Sequence, residues 1–192
     1  MSNKKGETMT KAKRLTLTEV KKSLKTYEKE ALLSILVDCY KQSAEVKNYI
    51  HVLLNPEEAI EDLYQKSKKQ IINEFFPERG FGKMRLSVAK KAITEFKNVS
   101  NDEHKTIDLM IYYVEVGVEF TNTYGDIDEP FYNSMISMYG NVISKIAKRL
   151  ALYDQFTERL ETIVENTAGI GWGFHDELSY LYDKLVTEYE ED

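Results

Sequence analysis

The sequence has little cysteine, proline or tryptophan, with one Cys, three Pro and one Trp in 192 residues. A single cysteine cannot form an internal disulfide, and this usage is typical of a reducing compartment. Cys39 shares a predicted apolar helix face with Leu32, Ile35 and Leu36, so we expect a buried and inert thiol. Few prolines leave long segments without a helix breaker, which favours long helices.

Long apolar runs are also missing. The most apolar stretch, LMIYYVEVGVEF at residues 109–120, is interrupted by Glu115 and Glu119 and is too short to cross a bilayer. The first residues, MSNKKGETMTKAKR, are charged and lack the apolar segment of a signal peptide. We therefore expect a cytoplasmic protein with no membrane association.

The composition is that of a folded globular protein, with 42% apolar and 30% charged residues. Its length predicts a single helical domain at residues 15–192, after a disordered and basic N-terminus at residues 1–14. The net charge is −6, and it is unevenly distributed. Residues 79–98 carry +5 and residues 100–130 carry −7, which predicts separate basic and acidic surfaces or a contact between the two segments.

Apolar residues recur with helical spacing along most of the chain, and no segment alternates in the manner of a strand bounded by turn residues. The pattern predicts an all-α fold of eight or nine helices. We expect successive helices to pack as antiparallel hairpins in a bundle or a short solenoid-like array. The helix predicted at residues 102–124 is apolar on nearly all faces, which indicates a position at the centre of the fold.

Several local signals predict where helices begin and end. Thr16 begins a capping-box pattern, and Gly125 is suited to end the long helix. Residues 77–86, PERGFGKMRL, have the composition of a linker. This linker also allows a division into two sub-domains, residues 15–77 and residues 86–192.

The stretch TAGIGWGFHDE at residues 167–177 places three glycines around the only tryptophan. A phosphate-binding loop needs converging N–H groups, usually with a lysine or a helix N-terminus free of acids. This stretch has no lysine, follows a helix and continues into Asp176 and Glu177, so we reject a phosphate loop. We interpret it as a corner between two helices, with Trp172 and Phe174 anchored in the core.

A second corner, YGDIDEPFY at residues 124–132, has three carboxylates within four residues. We interpret Asp128 as the N-cap of the following helix. The alternative is a carboxylate–histidine site that is shared between the two corners and binds a divalent metal or a small ligand. The protein would then be a binding protein or a hydrolase. Its ligands would be Asp126, Asp128, Glu129, His175 and Asp176, and its pocket would be lined by Tyr132, Trp172 and Phe174.

The basic segment offers a third candidate, contact with the phosphates of a nucleic acid. The residues that would make these contacts are Lys83, Arg85, Lys90 and Lys97. Because the whole chain is acidic, we favour a solvated or acid-paired helix face and do not expect nucleic acid as a partner.

A polar stripe crosses the apolar central helix and includes Asp108, Tyr112, Glu115 and Glu119. Carboxylates inside a fold need partners. We expect basic side chains as these partners, supplied by residues 79–98.

Three stretches resemble a family of uncharacterised bacterial helical proteins, known as a domain of unknown function. They are AKKAITEFKN, YYVEVGVEFTNTYGDIDEPFY and IGWGFHDEL. The resemblance extends from about Leu15 to the last helix. It implies a bacterial, cytoplasmic, all-helical domain and brings no activity, substrate or cofactor with it. Its recurring motifs are the two corners, which raises the interest of a site between them.

The chain has no Glu-x-x-His pair, no Gly-x-Ser-x-Gly motif and no Cys–His motif, so no catalytic residue is assigned. We therefore expect a non-enzymatic helical interaction module that binds a protein partner or self-associates and needs no cofactor. The metal- or small-ligand-binding protein is the alternative, and nucleic-acid binding through the basic helix is the second alternative.

Overall fold

The computed structural model describes residues 14–191, apart from the side chain of Leu150. Within this part of the chain there are nine α-helices, one 3₁₀ turn at Leu150–Leu152 and no β-strand. The helices are α1 (Leu17–Leu24), α2 (Lys29–Gln42), α3 (Ala44–Leu54), α4 (Pro56–Phe75), α5 (Leu86–Ser100), α6 (Glu103–Tyr124), α7 (Glu129–Ala147), α8 (Tyr153–Glu165) and α9 (Phe174–Glu190). The prediction of an all-α fold is confirmed.

The chain divides into two compact units, residues 1–47 and residues 48–192. The predicted disordered N-terminus, residues 1–14, lies outside the described residues except for Arg14. The described part of the first unit contains α1, α2 and the start of α3, and none of its side chains is buried. Cys39 is exposed as well, so the expectation of a buried thiol is wrong.

The second unit contains the hydrophobic core, which is built around α6. This helix packs against α4, α5, α7 and α8, and twelve of its 22 residues are buried. Helix α7 also packs against α9, and α8 against α9. The prediction that the long helix lies at the centre of the fold is confirmed. No helix in residues 14–191 has both the length and the apolarity needed to span a membrane.

Local signals fix several of the helix ends. The Thr16 backbone N–H donates to the Glu19 carboxylate at 2.7 Å, and the Glu19 N–H donates to the Thr16 hydroxyl at 3.3 Å, which completes the predicted capping box. Gly125 ends α6 with a φ of +89°, a conformation that glycine adopts at no steric cost. The linker at residues 77–86 lies within the second unit, where α4 and α5 on either side of it pack against each other.

Candidate functional site

The two corners meet in the core through a pair of aromatic rings. Tyr132, in the first turns of α7, and Phe174, the first residue of α9, are 1% and 0% exposed. Their ring centroids lie 5.0 Å apart. A second link joins the end of α6 to the end of α8, where the Asn122 side-chain amide donates to the Asn166 carbonyl at 2.8 Å. The corners are therefore neighbours, joined by apolar packing.

Each carboxylate of the first corner has a hydrogen-bond partner that is close to it in the sequence. Asp128 accepts a hydrogen bond from the Phe131 backbone N–H at 3.0 Å and caps α7, as predicted. The Tyr132 hydroxyl donates to Asp126 at 3.3 Å. Glu129 is 3.5 Å from the Asn133 amide. Each acid thus has a partner within six residues along the chain.

The histidine of the second corner bonds to the buried Thr167. The Thr167 hydroxyl donates to the Val164 carbonyl at 2.6 Å and lies 2.9 Å from Nδ1 of His175. This contact ties the chain just after α8 to the first turn of α9.

Trp172 is exposed to solvent and is not anchored in the core. It is 62% exposed and has a φ of +63°. The Phe174 N–H donates to the Gly171 carbonyl at 3.1 Å, and Gly173 also has a positive φ, so residues 171–174 form a tight turn with both central residues left-handed. The turn directs Phe174 into the core and leaves the indole in solvent, so the expected core position of Trp172 is wrong.

Within residues 14–191, no group of three His, Cys, Asp or Glu side chains is arranged to hold a metal ion. The site predicted at Asp126, Asp128, Glu129, His175 and Asp176 therefore has neighbouring corners and no assembled ligand set. Metal or small-ligand binding at these residues stays a prediction.

The four basic residues predicted to contact phosphate fall into two separate places. Arg85 donates to both oxygens of the buried Glu74, at 3.0 and 2.7 Å, and its backbone N–H donates to the same carboxylate at 3.2 Å. These hydrogen bonds hold the pKa of Glu74 below its ordinary value, against the opposing effect of burial. Arg85 and Lys83 line one recess of the surface, together with Phe81, which is 91% exposed.

Lys90 and Lys97 lie instead in a groove of about 480 Å³ whose other wall is α7. This wall carries Lys145 of α7 and Lys148, the residue that follows its last turn, and sequence reasoning missed both. The signal was present in the stretch SKIAKR, because residues three apart lie on the same side of a helix. Only the packing of α5 and α7 around α6 shows that the two lysine pairs share one groove.

The polar stripe of α6 does face a basic residue, as expected, but the residue is Arg159 of α8 and not a member of segment 79–98. Arg159 hydrogen-bonds to Glu115 at 2.7 and 2.8 Å and also contacts Asp108, which accepts from the Tyr64 hydroxyl of α4. Burial would lower the pKa of Arg159, and the hydrogen bonds and charges of Glu115 and Asp108 raise it instead. Burial and the bond to Asp108 raise the pKa of Tyr64.

Helix α2 presents a broad exposed apolar surface. Its five large aliphatic side chains are 38–58% exposed, and they are Leu32, Leu33, Ile35, Leu36 and Val37. They cover more than half of the helix circumference. A helix that is apolar over so much of its surface is ordinarily covered by neighbouring elements.

A family model described as "Family of unknown function (DUF6155)" matches residues 15–186. All three stretches that carry the family resemblance lie inside this range, so the resemblance to a family of unknown function is confirmed. No curated protein and no solved structure matches the chain.

Proposed function

The chain belongs to the family of unknown function DUF6155, and we propose that it is a non-enzymatic helical module that self-associates through α1 and α2. The observation that carries the proposal is the absence of any buried side chain in residues 14–47, although this segment includes the apolar helix α2. Apolar surface of this extent favours association, because its removal from water is the main favourable free energy of most protein interfaces.

The arrangement of α2 suits a helical partner. Leu32, Ile35, Leu36 and Cys39 have the i, i+3, i+4, i+7 spacing of residues that insert into a groove between helices. Leu33 and Val37 form a second row beside them. Two adjacent rows allow one helix to pack against two others, as in a four-helix bundle.

The charges on α2 favour a second copy of the same helix. Lys29 and Lys41 balance Glu30 and Asp38, so two copies do not repel each other. An antiparallel pair centred between Ile35 and Leu36 brings Glu30 of each copy close to Lys41 of the other. This reciprocal pairing is what a two-fold symmetric interface requires.

The size of the surface predicts a weak dimer. A helix of this length covers a strip of about 21 Å by roughly 10 Å, whereas a stable interface buries about 800 Å² on each partner. Helix α1 adds Leu17, Val20 and Leu24 from the same unit. We therefore expect an interface at the small end of the range, with a dissociation constant in the micromolar range.

The test is sedimentation velocity over a concentration series, from about 1 µM to about 200 µM. The wild-type protein is expected to pass from monomer to dimer. A Leu33→Glu/Leu36→Glu variant is expected to stay monomeric with an unchanged helical circular dichroism spectrum, because neither side chain is buried. The matched control is Tyr180→Glu, which places a charge at an exposed aromatic residue of α9, outside the proposed interface.

A wild-type protein that is monomeric over the whole series would overturn the proposal. So would a double variant that dimerises like the wild type.

A further inference from the structure

The groove between α5 and α7 is a concentrated positive surface on an acidic protein. Among the residues that the structure describes, its lining includes four lysines and no acidic side chain. Lys90 and Lys97 are on α5, Lys145 is on α7, and Lys148 directly follows α7. The net charge of the chain is −6. Like charges gathered in one concave place raise the local concentration of counter-ions of the opposite sign.

Three of these lysines have no acidic partner within residues 14–191. They are Lys90, Lys97 and Lys148, whereas Lys145 lies 3.5 Å from Glu103. By contrast, Lys91, which is on α5 but outside the groove, pairs with Glu95 at 3.3 Å. The positive charge of the groove is therefore not neutralised by the protein itself.

The floor of the groove is made by core residues. Met110 of α6, Ile93 of α5 and Met138 of α7 are buried side chains whose edges reach the groove. Asn141 and Ser144 of α7 add an amide and a hydroxyl, and neither forms a hydrogen bond within the described part of the chain. The groove thus offers cations, neutral donors and a small apolar surface together, the combination found in small-molecule sites.

We propose that this groove binds a small polyanion that carries two or more phosphate groups. The groove volume of about 480 Å³ is in the range of small-ligand sites. Lysine ammonium groups act as mobile point charges that can each approach a different phosphate oxygen. A single strand of nucleic acid fits less well, because no aromatic ring lines the groove and base stacking would supply much of its binding.

The proposal is tested by calorimetric titration at low ionic strength with inorganic tripolyphosphate, pyrophosphate, ADP, AMP and sulfate. We expect tripolyphosphate, pyrophosphate and ADP to bind more tightly than AMP and sulfate, and the binding to weaken as salt is added. A Lys97→Met/Lys148→Met variant is expected to bind tripolyphosphate roughly tenfold or more weakly. Its melting temperature is expected to be unchanged, since neither ammonium group has a partner to lose.

Lys91→Met is the matched control, because it removes a lysine of the same helix that does not line the groove. ADP binding much more tightly than pyrophosphate would assign the ligand to the nucleotides, since the apolar floor would then contact the organic part. Equal or weaker binding of ADP would assign it to the inorganic polyphosphates. Both results support the site.

The site is overturned if none of the five probes binds at low salt, or if the double variant binds like the wild type. It is also overturned if Lys91→Met loses as much affinity as the double variant. Duplex DNA that binds more tightly than every small probe, and less tightly to the double variant, would overturn the assignment to a small ligand.

Discussion

Arg159 of α8 donates two hydrogen bonds to Glu115 of α6, of 2.7 and 2.8 Å, one to each carboxylate oxygen. The same guanidinium contacts Asp108, and Asp108 accepts from Tyr64 of α4. Asp108 therefore connects α6 to both α8 and α4. The side chains of Arg159 and Glu115 are about a third exposed, so water weakens this pair less than a pair on the open surface.

We expect Arg159→Met to lower the free energy of unfolding by about 2 kcal/mol, because it leaves two carboxylates without their cation in a partly buried place. The figure is below that for a fully buried pair, since solvent reaches this one. Urea unfolding followed by circular dichroism measures the change. Lys184→Met is the control, because its pair with Glu188 is an exposed contact at 3.9 Å. Equal losses in the two variants would show that the Arg159 cluster is no more than a surface pair.

Tyr132 organises the turn between α6 and α7. Its hydroxyl lies 2.8 Å from the Thr121 hydroxyl, accepts from the Ile127 backbone N–H at 3.3 Å and donates to Asp126 at 3.3 Å. We expect Tyr132→Phe to cost about 1–2 kcal/mol of unfolding free energy, because the ring stays packed and only these bonds are lost. The measurement is thermal and urea unfolding. Tyr180→Phe, at a ring that is 64% exposed, is expected to change nothing.

The Glu74–Arg85 pair predicts part of the acid sensitivity of the protein. The bonds from Arg85 lower the pKa of Glu74 in the folded state from its ordinary value of 4.5. The stability that this pair contributes is therefore fully present when the pH is above the pKa of Glu74 in the unfolded chain. It is lost as the pH falls through the lower pKa that Glu74 has in the folded protein. Above that range we expect Glu74→Gln to be about 1–2 kcal/mol less stable than the wild type.

Urea unfolding at a series of pH values checks this expectation, and the gap between wild type and Glu74→Gln should shrink as the pH falls below about 4.5. Glu78→Gln is the control, because its pair with Lys69 is highly exposed and contributes little at any pH. A gap that stays constant down to the acid transition would contradict the role assigned to the Glu74 carboxylate.

Features set by short-range chemistry could be predicted from the sequence. The Thr16 capping box, the Asp128 cap and the ending of α6 at Gly125 each depend on residues a few positions apart, and each is found in the structure. The buried central helix was also predictable, because its apolar residues cover nearly every face.

Features set by contacts between distant residues could not be predicted. The base that pairs with Glu115 comes from 44 residues along the chain, and the groove lysines come from α5 and from the C-terminal end of α7, which are not consecutive helices. The exposure of Trp172 could not be predicted either, because large aromatic residues are usually buried. The left-handed turn directs its ring into solvent. Cys39 lies on an apolar helix face in the sequence, but nothing in the sequence shows whether that face is covered within the chain.

The exposed thiol of Cys39 gives a direct probe of the proposed dimer. Cys39 is the only cysteine in the chain and lies in the same apolar row of α2 as Leu32 and Leu36. With iodoacetamide in constant large excess, we expect the rate of alkylation, followed by mass spectrometry, to fall as the protein concentration rises from about 1 µM to about 200 µM. The reason is that the thiol of a dimer would be covered by the second copy, so only the monomer reacts.

The Leu33→Glu/Leu36→Glu variant is the control that separates protection of Cys39 by dimerisation from any other effect of protein concentration on the alkylation rate. Because it is expected to stay monomeric, its Cys39 should react at the same rate at every protein concentration. A wild-type rate that is also independent of concentration would mean that α2 stays uncovered at every concentration tested. If sedimentation nevertheless showed a dimer, its interface would have to lie on another surface, and the apolar face of α2 would have no part in it.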